Sequence, residues 1–333
     1  MIKANNSPYI IDRHYNEAKT FLSEISYGGE LYDLFERNFI FRGHAEEEYC
    51  LKPSALRGNI YIENSKFLFK EGVDSSTGKQ LIDYSLTEHS IVVTEGEILK
   101  DFFQLCDTCQ LYIPEITRLR KTFCTGFDAE TYLKNEKWLP EEFYEIAALA
   151  QHYGLKTRLL DWTYDINVAL YFASLGPMQK LDAREQLQRN HRLAQAHLKR
   201  NYSDPQIEIW ALDMSVLYAN KEQNIPLKII TPRHYDNDNM SSQRGCFTLW
   251  EIDKRSIEEG HIMIDNRSLD EQLSDFLIQY NVESKPYLYH ITIPQKEAKK
   301  IYKYAKRNNV DAAHLFPGYA GVVRCINEDA RML

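Results

Sequence analysis

Between positions 151 and 163 the chain reads Gln151-His152-Tyr153-Gly154-Leu155-Lys156-Thr157-Arg158-Leu159-Leu160-Asp161-Trp162-Thr163. This polar stretch is pinned between two apolar patterns. Ala147, Ala148, Leu149 and Ala150 lead in, and Val168, Ala169, Leu170, Phe172 and Ala173 lead out. The lead-out recurs at i, i+1 and i+4, the spacing of a buried helix face. Asp161 and Thr163 are both candidate N-caps for it, since short oxygen side chains accept from the orphan N–H groups of a first turn. An Arg, an Asp, a Trp and a Gln-His pair held between core helices form either a structural network or a site.

With 333 residues, 44% of them apolar, the chain is long enough for a full core in one large domain or two ordinary ones. A net charge of −8 argues against nucleic-acid or membrane binding driven by overall charge. No apolar run reaches 18 residues, and Met1-Ile2-Lys3-Ala4-Asn5-Asn6 lacks the apolar centre of a signal peptide. These features predict a cytoplasmic protein with no membrane partner. The six cysteines are scattered and are read as reduced thiols. Cys106 and Cys109 form one CxxC with no second ligand pair at zinc-site spacing, so no metal is expected.

Taken in order, residues 8–27 predict a short strand and then a helix with Ala18, Phe21, Leu22 and Ile25 on its apolar stripe. Gly28-Gly29 ends it, and Leu31, Leu34 and Phe35 continue as one more turn. Phe39-Ile40-Phe41 predicts a strand leading into Arg42-Gly43-His44; a glycine there admits close approach of a backbone or a ligand. Arg42 has nearby glutamates, Glu46 to Glu48, as candidate ion-pair partners. Residues 58–86 read as an irregular surface excursion. Residues 87–112 predict a helix with Ile98, Phe102 and Leu105 on one face, and 117–137 another. Pro140 opens the helix that runs into the central stretch.

Gly176-Pro177 predicts a break, followed by a polar, locally basic helical excursion at 181–201. Its nearest reading is a solvated helix. Strands are then predicted at Ile207–Leu212, Leu227–Ile230, Cys246–Trp250 and Tyr287–Ile293, a helix with a basic outer face at 294–308, and last a turn at Ala313–Gly321 before a short closing segment. The reading is a single α+β domain over residues 1–333. It has a mixed or antiparallel sheet with helices on its faces, a helix-rich first half and a strand-rich second half. The strand carrying Arg42 closes the sheet.

Phe41-Arg42-Gly43 resembles the triplet that gives the FRG-domain family its name. Leu51-Lys52-Pro53-Ser54…Arg57 is similar to that family's second block, and Gln151-His152-Tyr153-Gly154…Thr157-Arg158-Leu159-Leu160-Asp161-Trp162-Thr163 to its most distinctive one. Gln243-Arg244-Gly245-Cys246-Phe247 and Leu315-Phe316-Pro317 complete the order, so the resemblance spans about residues 30–325. His44 stands where that family commonly has Gln, and Gly318-Tyr319-Ala320-Gly321 replaces a more acidic ending.

The block order also resembles, more distantly, ADP-ribosyltransferase-like proteins, with an Arg ending an early strand, a polar central segment and a late strand carrying a third catalytic position. That resemblance implies NAD as cofactor, a protein or nucleic-acid acceptor, and a role in bacterial defence against phage or in toxin action. It makes Arg42, Asp161 and Gln243 the candidate catalytic residues. Arg42, Gly43, His44, Gln151, His152, Arg158, Trp162 and Thr163 become candidates for holding the cofactor. An Arg fork suits a pyrophosphate. Trp162, Tyr171 or Phe172 would stack the nicotinamide, and Thr163 or Gln151 would orient the ribose. An acid, Asp161 or Glu145, would stabilise an oxocarbenium-like transition state, because Gln243 stands where such transferases carry Glu. Two other readings stay open. One is a non-catalytic nucleotide- or partner-binding module whose Arg158–Asp161 pair and Trp162 are architecture. The other is a hydrolase or nuclease using His152 oriented by Asp161. No GxSxG, HExxH, GKS/T loop or GxGxxG is present.

Overall fold

The computed structural model describes residues 7–36, 38–44, 50–57, 88–124, 138–189, 205–219, 224–233, 238–252, 265 and 267–332. The excursion expected at 58–86 and most of the basic segment at 181–201 lie outside them, as does the second half of the helix expected at 117–137. The strands are β1 (Ile10–His14), β2 (Phe39–His44), β3 (Leu160–Thr163), β4 (Gln206–Asp213), β5 (Leu227–Ile230), β6 (Gly245–Trp250) and β7 (Leu288–Pro294). The helices are α1 (Ala18–Glu24), α2 (Glu30–Phe35), α3 (Glu88–Thr108), α4 (Ile116–Cys124), α5 (Tyr144–His152), α6 (Ile166–Arg189), α7 (Asp238–Ser242), α8 (Leu269–Gln279), α9 (Ala298–Arg307), α10 (Ala312–Leu315) and α11 (Tyr319–Ala330).

One sheet takes the order β1-β7-β4-β2-β3-β6-β5. β1 and β7 pair in parallel and every other described pair is antiparallel, so the fold is α+β with a mixed sheet. Alternation along the strands feeds both faces. Phe39 and Phe41 join Ile207, Ile209, Ile291 and Ile293 beneath α6 and α9. Ile40 points the other way and joins Trp210, Leu212 and Leu288 against Leu269, Leu273 and Leu277 of α8. A third cluster packs Leu159, Phe247 and Leu249 against α3, α4 and α5. α9 shows how directly pattern sets position. Ala298, Ile301, Tyr302 and Ala305 recur at i, i+3, i+4 and i+7 and are buried, leaving its lysines at the rim.

Four expectations change. The strand bearing Arg42 does not close the sheet but lies in its middle, between β4 and β3. Leu160–Thr163 is a strand rather than a helix entry, and Asp165 caps α6 instead, its Oδ1 accepting from the Asn167 N–H at 2.9 Å. Gly176-Pro177 does not break the chain, for α6 runs through Pro177. An interior proline costs about 3 kcal/mol. Burial of Leu170, Tyr171, Ala173 and Met178 around it supplies apolar contact of that order. α3 buries Val92, Glu95, Leu99, Phe103 and Cys106 in place of the stripe through Leu105, which is 66% exposed. The buried face runs through Val92, Leu99, Phe103 and Cys106, with the Glu95 carboxylate buried among them. Among the described residues no helix is long and apolar enough to cross a membrane.

Candidate functional site

β2 and β3 touch at one register position, Phe41 opposite Thr163, and then part. Their outer flanks stay fully paired, β2 to β4 and β3 to β6. The parting leaves backbone groups without ladder partners, and side chains take the vacated bonds. Arg42 Nη1 donates to the main-chain oxygen of Asp161 at 2.6 Å and approaches its Oδ2 at 3.4 Å. Gln151, near the end of α5, donates Nε2 to Leu159 O and to Asp161 Oδ2, both at 3.0 Å. Its Oε1 accepts from Thr157 Oγ1 at 2.6 Å.

A hollow of about 360 Å³ opens at this parting, and its walls include Arg42, Gly43, Gln151, His152, Asp161, Trp162, Thr163 and Gln243. Three segments distant in the chain therefore meet at one place. The Asp161 side chain is 56% exposed, so the hollow reaches solvent. Its apolar wall comes from Phe41, Val168, Ala169, Phe172 and Phe316, with the rings of Phe172 and Phe316 edge to face at 6.4 Å. Gly43 makes this wall possible, because a Cβ there would sit 2.0 Å from Ala169 O.

The lining side chains divide into committed and available. The Gln151 amide is committed at both ends. Thr163 Oγ1 donates to Gln243 O at 2.8 Å and accepts from Asp165 N at 3.1 Å. Trp162 lines the hollow, but its indole is 4% exposed and donates to Thr248 Oγ1 at 2.9 Å within the core beneath α8. On the lining residues, Asp161 Oδ1, Gln243 Oε1, Arg42 Nη2 and the His152 ring have no hydrogen-bond partner among the described residues. The Gln243 amide nitrogen donates to Leu315 O at 3.3 Å.

Two sequence candidates lie off the hollow. Arg158 is 7% exposed, and its Nε donates to Glu95 Oε2 at 2.5 Å. The same oxygen accepts from Trp138 Nε1 at 2.6 Å. The expected local pair of Arg158 with Asp161 does not form: Arg158 lies in the bend before β3, and its guanidinium is taken by Glu95 of α3. His44 stands behind Arg42, 3% exposed. Of the alternatives weighed for stacking and acid roles, Tyr171 is fully buried with its hydroxyl on Glu328. Glu145 faces a separate, more apolar hollow of about 450 Å³ beside Phe102, Leu149 and Met240. Phe316 is the wall residue that residue-by-residue reading passed over, although its Leu-Phe-Pro block was visible. Cys106 is buried and Cys109 exposed.

Burial lowers the pKa of the Arg42 guanidinium, with Asp161 opposing and the charge of Arg57 adding to the fall. Burial likewise holds His152 below the usual imidazole value, with Asp161 pulling the other way. The ring of His152 is therefore neutral near pH 7 and can accept a proton. The Asp161 carboxylate accepts from Gln151 and Arg42, and among the described residues no hydrogen bond joins it to His152.

Residues 37–182 match the family model of the FRG domain. That span holds β2, β3 and α3 to α5, and it ends within α6; Gln243 and Phe316 lie beyond it. No curated protein and no solved structure matches the chain. The Phe-Arg-Gly triplet at the parting of β2 and β3, the Thr-Arg-Leu-Leu-Asp-Trp-Thr run opposite it and the match around both lead to one conclusion: the stretch from residue 37 to 182 is of the FRG-domain type.

Proposed function

We propose that the hollow binds NAD and that the domain acts as an NAD-dependent ADP-ribosyltransferase-like enzyme. The observation that carries this reading is the meeting of a guanidinium, a solvent-reaching carboxylate and a primary amide from three distant segments where two strands part. Arg42 Nη2 is available to a pyrophosphate oxygen. Phe172 and Phe316 offer the apolar slot for a flat ring. Asp161 is the one carboxylate among the lining residues, and a carboxylate is what stabilises positive charge developing on a ribose as its bond to nicotinamide breaks. Gln243 Oε1 is placed to accept from a ribose hydroxyl. His152, neutral and open, can take the proton of an attacking nucleophile on a protein or nucleic-acid acceptor. A place in bacterial defence or toxin action follows only if this activity holds.

The test is nicotinamide release from NAD, followed by chromatography. Release is expected in the parent protein and at least about a hundredfold slower in Asp161→Asn, the scale of losing one charge-stabilising group. A neutral amide at Gln243 favours a second reading, a nucleotide-binding module without turnover. Thermal stabilisation by NAD with no nicotinamide released selects it. Neither stabilisation nor release overturns both. The hydrolase reading through His152 and Asp161 draws no support from the hydrogen bonds of Asp161.

A further inference from the structure

On the face of the sheet beneath α8, four neighbouring strands contribute one line of ionisable side chains. From β1 inward it runs Asp12, His290 (β7), Glu208 (β4), then His44 and Arg42 (β2), and the Arg42 guanidinium reaches across the parting to Asp161 on β3. His290 Nδ1 lies 2.8 Å from Asp12 Oδ1, and its Nε2 lies 3.3 Å from Glu208 Oε1. Glu208 Oε2 faces His44 Nδ1 at 3.6 Å. Arg42 Nε donates to His44 Nε2 at 2.6 Å. His44, Glu208 and His290 are all less than a tenth exposed.

Donor counting fixes the protons. An arginine Nε–H only donates, so His44 Nε2 must hold a lone pair and the ring must be neutral with its proton on Nδ1. That proton points toward Glu208. His290 has carboxylates at both nitrogens, the surroundings of an imidazolium, and its ring stacks on Trp210 with centroids 4.1 Å apart. The two histidines flanking one glutamate thus take opposite charge states. We propose that His44 is a positioning residue for the hollow: as the neutral Nδ1–H tautomer it anchors Arg42 Nε, which holds Nη1 on Asp161 O and leaves Nη2 as the donor offered to an anionic ligand. Glu208, its charge balanced by His290, favours that tautomer electrostatically across 3.6 Å, beyond hydrogen-bond length. The charges acting on His44 are Arg42 and Arg57 on one side and Glu208 on the other.

The anion in question rests on the nucleotide reading above, but the proton assignment does not. Two measurements separate them. Nitrogen-15 NMR of the histidine side chains in the full chain is expected to show His44 neutral and protonated at Nδ1 between roughly pH 5.5 and 8, and His290 protonated at both nitrogens near neutrality. A His44 protonated at Nε2, or titrating together with His290, overturns the proposal. The second measurement is binding of ADP-ribose as probe. His44→Gln presents an acceptor to Arg42 and a donor to Glu208, the same pattern as the neutral ring, and is expected to bind within about threefold of the parent. His44→Leu presents no acceptor, and is expected to lose about tenfold or more, the scale of 1.4 kcal/mol. Equal binding by a folded His44→Leu overturns the proposal. If the parent binds no ADP-ribose, the nucleotide reading falls while the NMR still decides the positioning role.

Discussion

Arg42 stands in for backbone. Its Nη1 donates at 2.6 Å to the Asp161 carbonyl that a neighbouring strand would otherwise satisfy, on the flank where β2 and β3 have ceased to pair. The residue most exposed to a functional reading is thus also a structural bond of the central sheet. Arg42→Met is expected to cost about 1–3 kcal/mol, the penalty for leaving Asp161 O and His44 Nε2 without donors. Urea denaturation measures it. A change below about 0.5 kcal/mol would show that water replaces the guanidinium without loss. Arg42→Lys is expected to behave like Met, because one ammonium cannot reach the His44 ring and the Asp161 carbonyl from the positions the fork occupies.

Gly43→Ala tests the contact between β2 and α6. The new methyl carbon would meet Ala169 O at 2.0 Å and Ala173 Cβ at 2.9 Å, and a buried helix backbone cannot yield that far. A loss of about 3 kcal/mol or more is expected, seen as insoluble protein or a sharply lowered Tm. A well-folded Gly43→Ala variant with parental stability would place α6 farther from β2 than described.

Much of this architecture was legible in the chain, and what was not has identifiable physical causes. β1, β2, β4, β5, β6 and β7 follow from short strand-like runs in the sequence, and the blocks around Arg42, Asp161 and Gln243 stand out there too, though not their meeting. β3 was missed because Leu160–Thr163 is short and flanked by helical patterns, and only its pairing to β6 makes it a strand. The partner of Arg158 was missed because Glu95 lies 63 residues away on a helix read by its apolar positions alone. The Asp12–His290–Glu208–His44 line was invisible for a different reason. Each member sits in an ordinary strand pattern, and only strand order makes them neighbours. His44 in place of Gln is a mild departure in chemical terms as well, since both present one acceptor and one donor.

Arg158 and Glu95 are expected to matter for folding and not for ligands. Arg158→Met takes the guanidinium away from a buried carboxylate that also accepts from the Trp138 indole, a loss expected to cost about 3–5 kcal/mol. The double variant Glu95→Gln/Arg158→Met is expected to recover part of that loss, measured as a coupling energy in a double-mutant cycle. Additive losses would mean that the two side chains do not depend on each other.

The pH dependence of stability has two limbs with assignable sources. His44 is pushed down to about 4, first by burial and then by Arg42. The folded state therefore resists a proton that the unfolded chain accepts, and stability falls as pH drops from about 6.5 to 4. Burial works against the charge of Glu208, but His290 and then His44 outweigh it and hold the carboxylate at about 2, so a second loss follows between about pH 4.5 and 2. His290 runs the other way. Burial lowers it, but Glu208 and Asp12 raise it above the usual value, so its contribution is complete below about pH 6.5 and is lost as pH rises through the raised value. Glu208→Gln is expected to shrink the alkaline limb, to which Asp12 still contributes, and to remove the loss below about pH 4.5. Denaturant midpoints across pH read this directly, and an unchanged alkaline limb in Glu208→Gln would assign it elsewhere.

The sheet order also bears on where a cut in this polypeptide is tolerated. The family match runs from residue 37 to 182, yet the immediate neighbours of β2 and β3 on their fully laddered sides are β4 and β6, which begin at Gln206 and Gly245. An expression fragment trimmed to the match would expose two long unsatisfied flanks, a template for aggregation. It would also lack the amide and one of the rings that border the hollow. The smallest piece worth purifying extends through Glu328, which is 3% exposed and accepts from the hydroxyls of Tyr171 on α6 and Tyr302 on α9. That carboxylate buckles the last helix to the two beneath it.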